Sequence, residues 1–244
     1  MKRNITTILK ILLYSGIFST LLPLVFFLLF KKNGKKESLR VILFYILYCI
    51  VHEGMSFYLQ SIQSINFTYL LYVFTIVEYS FFCYFIYLVL NKNKLRKAIP
   101  FIWIGFLLFA LIDLFYVNDG GGFDSFTSGI ESIIILLLCA YYLFSQIRSS
   151  NSLLIYSTFD FWVVITFLIY FSGTFFLYLM ADKMSKNLNF QQLYFIINIS
   201  FNILKNILLS VAMTMRLNSI NKQSKTLPKL DDDLFIHTQQ QLSD

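Results

Sequence analysis

Six ionisable side chains lie inside long apolar stretches of this sequence, where a charge is costly. They are His52, Glu53, Glu78, Asp113, Glu131 and Lys205. A charged group near the centre of a membrane-spanning helix costs at least about 2.5 kcal/mol, so each of these groups needs a partner, water or a ligand. Four carboxyl groups stand against one lysine and one histidine. This excess of acids predicts a site for a small cation, a proton or an amine-bearing ligand.

Helical spacing places several polar residues on common faces. Three sets recur at intervals of three or four residues: Thr75 with Glu78, then Asp124 and Ser128 with Glu131, then Gln191, Tyr194, Asn198 and Asn202 with Lys205. Residues at this spacing share one face of a helix, and that face should line the interior of a bundle because the other meets lipid. We therefore predict a polar pocket, open to the extracytoplasmic side, formed by His52, Glu53, Glu78, Asp113, Glu131, Asn198, Asn202 and Lys205.

A structural role for the same residues is the main alternative. Lys205 could pair with Glu78, and asparagines could form hydrogen bonds between helices. An enzyme is not expected, because a zinc hydrolase needs about three histidine ligands and only His52 lies in an apolar stretch. No metal site is predicted. The three cysteines, Cys49, Cys83 and Cys139, are expected to be small apolar filler within helices.

The elements that carry these residues are seven long apolar stretches. About 20 helical residues cross a bilayer, and 57% of the residues are hydrophobic, with a mean hydropathy of +0.68. The stretches are 5–30, 39–62, 67–90, 99–117, 123–147, 159–181 and 190–215. They predict an all-α, polytopic bundle of seven transmembrane helices over residues 1–216, with Pro23 as a kink. The polar remainder, residues 217–244, is expected to be a disordered cytoplasmic tail.

The distribution of basic residues predicts the orientation. Fourteen fall on one side of the seven stretches: Lys31, Lys32, Lys35, Lys36, Arg40, Lys92, Lys94, Arg96, Lys97, Arg148, Arg216, Lys222, Lys225 and Lys229. Five fall on the other: Lys2, Arg3, Lys10, Lys183 and Lys186. Because cytoplasmic loops are rich in lysine and arginine, the N-terminus is expected outside and the C-terminus in the cytoplasm. The net charge of +7 is thus a membrane signature, and no nucleic-acid partner is expected.

The sequence resembles a group of small, uncharacterised seven-helix inner-membrane proteins of Gram-negative bacteria. The residues that carry the resemblance are Glu78-Tyr79, Glu131, Tyr141-Tyr142, Phe161-Trp162, Tyr170-Phe171-Ser172-Gly173, Asn198, Asn202 and Asn206. This resemblance implies a multi-pass protein of the bacterial inner membrane and supplies no activity. Similar seven-helix modules form the input half of sensor kinases, which favours a sensory role by analogy.

The chain also resembles microbial rhodopsins in one respect. A lysine in the last stretch and a carboxylate in the third would make Lys205 the attachment point of retinal and Glu78 its counter-ion. The surroundings differ, because residues 72–80 lack the arginine and tryptophan usual in that family. The sixth stretch also lacks a tryptophan near mid-membrane. We therefore expect no cofactor, with retinal on Lys205 as the less favoured option.

Together these patterns predict a receptor-like or sensory membrane protein with an outward-open polar pocket. We expect it to lack an output domain of its own and to act through a cytoplasmic partner such as a histidine kinase. The alternative is an ion- or proton-coupled transporter or channel, in which Glu78 and Lys205 form a relay.

Overall fold

The described part of the chain is helical throughout. The computed structural model describes residues 2–30, 36–62, 67–90, 94–117, 125–148, 156–184 and 188–215. The helices are α1 (Lys2–Ser19), α2 (Leu22–Leu29), α3 (Glu37–Ile62), α4 (Phe67–Val89), α5 (Ile99–Ile112), α6 (Ser125–Ile147), α7 (Phe159–Met184) and α8 (Leu188–Thr214). A 3₁₀ turn, Lys94–Lys97, precedes α5, and a π-helical turn, Asp113–Val117, continues it. The all-α prediction is confirmed for these residues, and the predicted tail lies outside them.

Seven helical stretches in the described ranges are long and apolar enough to cross a membrane. They are Ile11–Leu29, Glu37–Leu59, Tyr69–Val89, Leu95–Phe115, Phe126–Ile147, Phe159–Ala181 and Asn189–Thr214. Within a bilayer every backbone N–H and C=O must be satisfied inside the protein, and a helix achieves this within one segment. The prediction of seven spans is thus confirmed, and the bundle contacts lipid.

The first span is broken where the sequence predicts a kink. Pro23 has no N–H, so the helical bond to the carbonyl of Ser19 is missing. The chain tightens just before it, as Thr20 N bonds Ile17 O at 3.3 Å and Leu21 N bonds Phe18 O at 3.2 Å. The hydroxyl of Ser19 also donates to Gly16 O at 2.6 Å. The span therefore consists of α1 and α2, joined at residues 20–21.

Six of the seven spans form a ring. α3 packs on α4, α4 on α6, α6 on α7, α7 on α8, and α8 on both α1 and α2. A small contact between α2 and α3 closes the ring, and α5 lies outside it, mainly against α4. Because the spans are joined by short connections, successive spans run antiparallel. One end of the bundle carries Lys36, Arg40, Arg96, Lys97 and Arg148, and we call it the basic end.

Large aromatic and aliphatic side chains fill the half of the ring next to the basic end. Phe82 lies against Phe167 with ring centroids 4.9 Å apart, and Phe167 lies against Tyr45 at 5.5 Å. These rings, together with Ile42, Phe85 and other neighbours, are almost completely buried. Dense packing of this kind excludes water, so we call this region the apolar layer.

Polar contacts at the basic end join the beginning of α7 to the beginning of α3. Asp160, in the first turn of α7, is 3% exposed. It pairs with Lys36, and Ser38 Oγ donates to its Oδ1 at 3.0 Å. A carboxylate at a helix N-terminus is also favoured by the helix dipole. The beginnings of α3 and α7 are therefore held together on this side.

The outer surface is rich in exposed phenylalanine, as expected for a lipid-facing surface. Phe101, Phe115, Phe144 and Phe176 are each about two-thirds exposed or more. A chain in water would bury such side chains, whereas in a bilayer their exposure costs nothing. The three cysteines are buried and free, in agreement with the expectation of apolar filler.

Close approach of α7 and α8 requires a glycine at position 173. A Cβ atom built there would lie 2.1 Å from Cε1 of Phe201 on α8.

We predict that Gly173→Ala lowers the unfolding free energy by about 1–3 kcal/mol, because overpacking displaces the ring. Thermal unfolding of the purified protein in detergent measures this change.

Gly105→Ala is the matched control. No atom lies within 4 Å of a Cβ at that position, so its melting temperature should equal or exceed that of the parent. Equal melting temperatures for the Gly173 and Gly105 variants would contradict the packing argument.

Candidate functional site

A cavity of about 530 Å³ lies inside the ring, on the side away from the basic end. Side chains from α1, α3, α4, α6, α7 and α8 line it. They come from the later halves of α3 and α7 and the earlier halves of α4 and α6, which antiparallel packing brings to the same end. The volume is within the range of small-molecule sites, roughly 300–1,000 Å³.

Most of the residues predicted to form the pocket line this cavity. They are His52, Glu53, Glu78, Glu131, Asn198, Asn202 and Lys205. Thr75, Ser128 and Tyr194 line it as well, so the polar faces inferred from helical spacing do point inward. Gln191, at the start of the α8 set, is exposed, and Asp124 lies outside the described residues.

Asp113 is in a different place. It begins the π-helical turn after α5 and is buried outside the cavity. Its Oδ2 accepts hydrogen bonds from Tyr72 and from Thr127 Oγ1, each at 2.6 Å. α5 lies outside the ring, so a side chain at its end reaches the α4–α6 seam and not the central space. Asp113 therefore joins α4, α5 and α6.

The floor of the cavity is an ion pair with aromatic support. Lys205 Nζ lies 3.4 Å from Glu78 Oε1, and both side chains are 3% exposed. Tyr45 donates a hydrogen bond to the same Glu78 oxygen. Lys205 donates to the Tyr45 hydroxyl oxygen at 3.0 Å and lies 4.3 Å from the ring centre of Tyr170. One cation thus connects α8 with α3, α4 and α7.

Polar contacts continue from the floor along the walls. Asn202 Nδ2 donates to Glu53 Oε1 at 3.3 Å, which joins α8 to α3. On α7, the hydroxyls of Tyr170 and Tyr178 lie 3.2 Å apart, and Tyr178 donates to Asn198 Oδ1 at 3.5 Å. Hydrogen bonding at such distances is weak, so these groups can exchange partners at little cost when a ligand enters.

Two polar atoms on the α3 wall have no protein partner among the described residues. His52 Nε2 and Ser56 Oγ are both buried from solvent, and both residues line the cavity. The imidazole ring lies 4.3 Å from the ring of Phe74. A buried polar group without a hydrogen bond costs about 1–3 kcal/mol, so this wall favours a ligand or water that can supply one.

The charge of the cavity is set by three carboxyl groups and one lysine. Lys205 is paired with Glu78, while Glu53 and Glu131 lie higher on the walls. Aromatic rings face the same space, among them Phe74, Tyr178 and Tyr194. The arrangement suits a cation with an organic body, which can interact with carboxylates and ring faces together. Among the described residues, no three His, Cys, Asp or Glu side chains converge as a metal ion would require.

Sequence reasoning missed the tyrosines of the site. No tyrosine was among the predicted pocket residues, yet Tyr45 and Tyr170 are buried and contact the Lys205–Glu78 pair. Tyr45 lies on the face of α3 that also holds Cys49 and His52, at spacings of four and three. That spacing could have indicated Tyr45, but the chain has 16 tyrosines, and spacing alone does not separate Tyr45 from the others.

Removing one partner of the floor pair should be more harmful than removing both. Glu78→Leu or Lys205→Leu leaves a buried charge without its partner, at a cost of about 3–5 kcal/mol, whereas two leucines leave none. We predict that the double variant loses less stability than the sum of the single losses. Thermal unfolding in detergent measures this coupling, and strictly additive losses would contradict the pairing.

Comparison of the chain with protein-family models, with characterised proteins and with solved structures finds no match. The resemblance to small bacterial seven-helix proteins therefore stays an expectation from the sequence. What the structure establishes is a seven-helix, apolar, membrane-spanning bundle.

Proposed function

We propose that this chain is a receptor-like membrane protein whose cavity binds a small ligand that carries a protonated amine. The observation that carries the proposal is the composition of the cavity, in which three carboxyl groups face one lysine that is already paired with Glu78. A buried carboxylate is stable only with a compensating charge or hydrogen bonds. A cationic ligand supplies both to Glu53, whose Oε1 otherwise accepts the 3.3 Å hydrogen bond from Asn202 Nδ2.

An organic amine fits the cavity better than a bare ion. The rings of Phe74 and Tyr194 provide faces for a cation or for an apolar body. The buried Nε2 of His52 and Oγ of Ser56 provide a polar point on the α3 wall. The cavity therefore offers such a ligand carboxylates, aromatic ring faces and a hydrogen-bonding group.

The shape of the interior supports binding over conduction. The cavity ends at Lys205, Glu78 and Tyr170. One turn beyond, the packed side chains of Tyr45, Phe82 and Leu209 begin the apolar layer. A cavity that ends at this layer can hold a ligand without passing it to the basic end.

The distribution of basic residues supports an orientation for the proposed receptor. The basic end is assigned to the cytoplasm by the positive-inside rule, so the cavity opens on the other side of a bacterial inner membrane. Ligand binding biases the bundle only if one arrangement of the helices binds better than another. We propose that the chain has no enzymatic activity of its own and reports to a cytoplasmic partner such as a histidine kinase.

A proton- or ion-coupled transporter is the second candidate, and the floor of the cavity favours it. Tyr45, Glu78 and Lys205 form a hydrogen-bonded chain between titratable groups at mid-bundle. Chains of this kind serve as proton relays in pumps. The apolar layer must then open during each cycle, which a receptor does not require. A retinal-binding role is less favoured still, because Lys205 is engaged by Glu78, Tyr45 and Tyr170 together.

The amine proposal predicts selective stabilisation. We expect phenethylamine to raise the melting temperature of the protein in lipid nanodiscs, and its neutral analogue 2-phenylethanol to have no effect. At ten times Kd the ligand stabilises the fold by about 1.4 kcal/mol. Glu53→Gln should remove the shift, because the carboxylate that meets the amine is lost.

Asp113→Asn is the matched control for this test. It changes another buried acid of the same bundle outside the cavity, so the amine should still raise its melting temperature. Equal shifts with the amine and the alcohol, or an unchanged shift in the Glu53 variant, would count against the proposal.

The two candidate functions also differ in proton flux. In proteoliposomes with a trapped pH-sensitive dye and an imposed potential, we expect the parent protein to conduct no more than empty liposomes. The reason is the apolar layer below Lys205. A flux that Glu78→Gln abolishes would instead establish the transporter.

A further inference from the structure

A second cavity lies on the outside of the bundle, near the basic end. It is a groove of about 570 Å³ between α4 and α5. Its walls include Val77, Phe81 and Tyr84 from α4, with Pro100 and Trp103 from α5. On α4, Thr75 and Glu78 face the central cavity, whereas Ser80, Tyr84 and Tyr87 lie toward the other face. The groove is therefore a separate site.

The walls of the groove are mainly apolar, and the polar atoms of Ser80, Tyr84 and Trp103 already form hydrogen bonds. Trp103 Nε1 donates to Ser80 Oγ at 2.9 Å, and Ser80 Oγ donates to Ile76 O at 2.7 Å. The Tyr84 hydroxyl donates to Glu37 Oε1 at 3.1 Å. The surface left to an occupant is thus hydrocarbon and aromatic. In a bilayer, the chemistry that matches such a surface is an acyl chain.

The rim of the groove carries positive charge. Arg96, in the 3₁₀ turn before α5, has its Cζ 4.4 Å above the ring of Tyr87, which lines the groove. Lys97 is the next residue and is exposed. The same end also carries the negative charge of Glu37. Arg40, one turn later on α3, carries a positive charge that offsets it. The rim is therefore basic on balance where a span meets the membrane surface.

We propose that this groove binds one anionic phospholipid of the surrounding bilayer. One acyl chain lies between α4 and α5 along Trp103, and the phosphate lies beside Arg96 at the membrane surface. Basic pockets between transmembrane helices bind anionic head groups in this way. The planar guanidinium of Arg96 can also form paired hydrogen bonds with phosphate oxygens while its carbon stem lies on the Tyr87 ring.

Lipid retention by the full-length protein tests the proposal. Protein purified in detergent is incubated with phosphatidylglycerol or with phosphatidylcholine of the same acyl chains, and bound lipid is counted by native mass spectrometry. We expect one phosphatidylglycerol to be retained preferentially. Arg96→Gln should weaken its retention about fivefold, the effect of one basic residue near an anionic head group.

Two further variants keep the test decisive. Arg148→Gln removes a charge from the same end but from α6, so retention should match the parent. Val77→Phe fills the groove without changing charge and should reduce retention of the lipid. Equal retention of the two lipids would overturn the proposal. So would the same retention in the Arg96 and Arg148 variants, or full retention in the Val77 variant.

Discussion

The burial of Lys205 inside a lipid-embedded bundle is the constraint on which the rest of the interior depends. A lysine that is 3% exposed must have an acid and further polar contacts within reach, or the bundle opens. Glu78 supplies the charge, the Tyr45 hydroxyl supplies an acceptor, and the Tyr170 ring supplies a face. Together with Lys205, these groups belong to four helices, so the position of one amine limits how α3, α4, α7 and α8 can be arranged around it.

The two halves of the bundle, on either side of this pair, differ in packing and in polarity. Toward the basic end, the rings of Phe82 and Phe167 pack without water, and Asp160 with Lys36 holds the surface together. Toward the other end, polar residues face inward and keep the helices apart around a cavity. Glycine allows close contact between helices there, as at Gly173 against Phe201. The packed half and the polar cavity are thus segregated along the axis of the bundle.

Helical periodicity was sufficient to predict the spans and much of the cavity. The spacing of Asn198, Asn202 and Lys205 gives their common face in any straight helix, and the structure turns that face inward. Asp113 shows what spacing cannot supply. Its depth suited a pocket, but the position of its helix outside the ring depends on packing between distant segments. Tyr45 was missed for a related reason, because its role arises only when α8 brings Lys205 beside it.

The apolar layer lies between the cavity and the basic end, so it is one route by which the proposed ligand would influence that end. The proposed amine would compete with Asn202 for the Glu53 carboxylate, and Asn202 lies on α8 one turn before Lys205. Any shift of Lys205 disturbs Tyr45, whose ring packs against Phe81 and Phe167. Close-packed rings do not deform gradually, so a small displacement at the floor is transmitted as a repacking of neighbours. Phe81 also lines the groove between α4 and α5, so the same layer connects the central cavity with that groove.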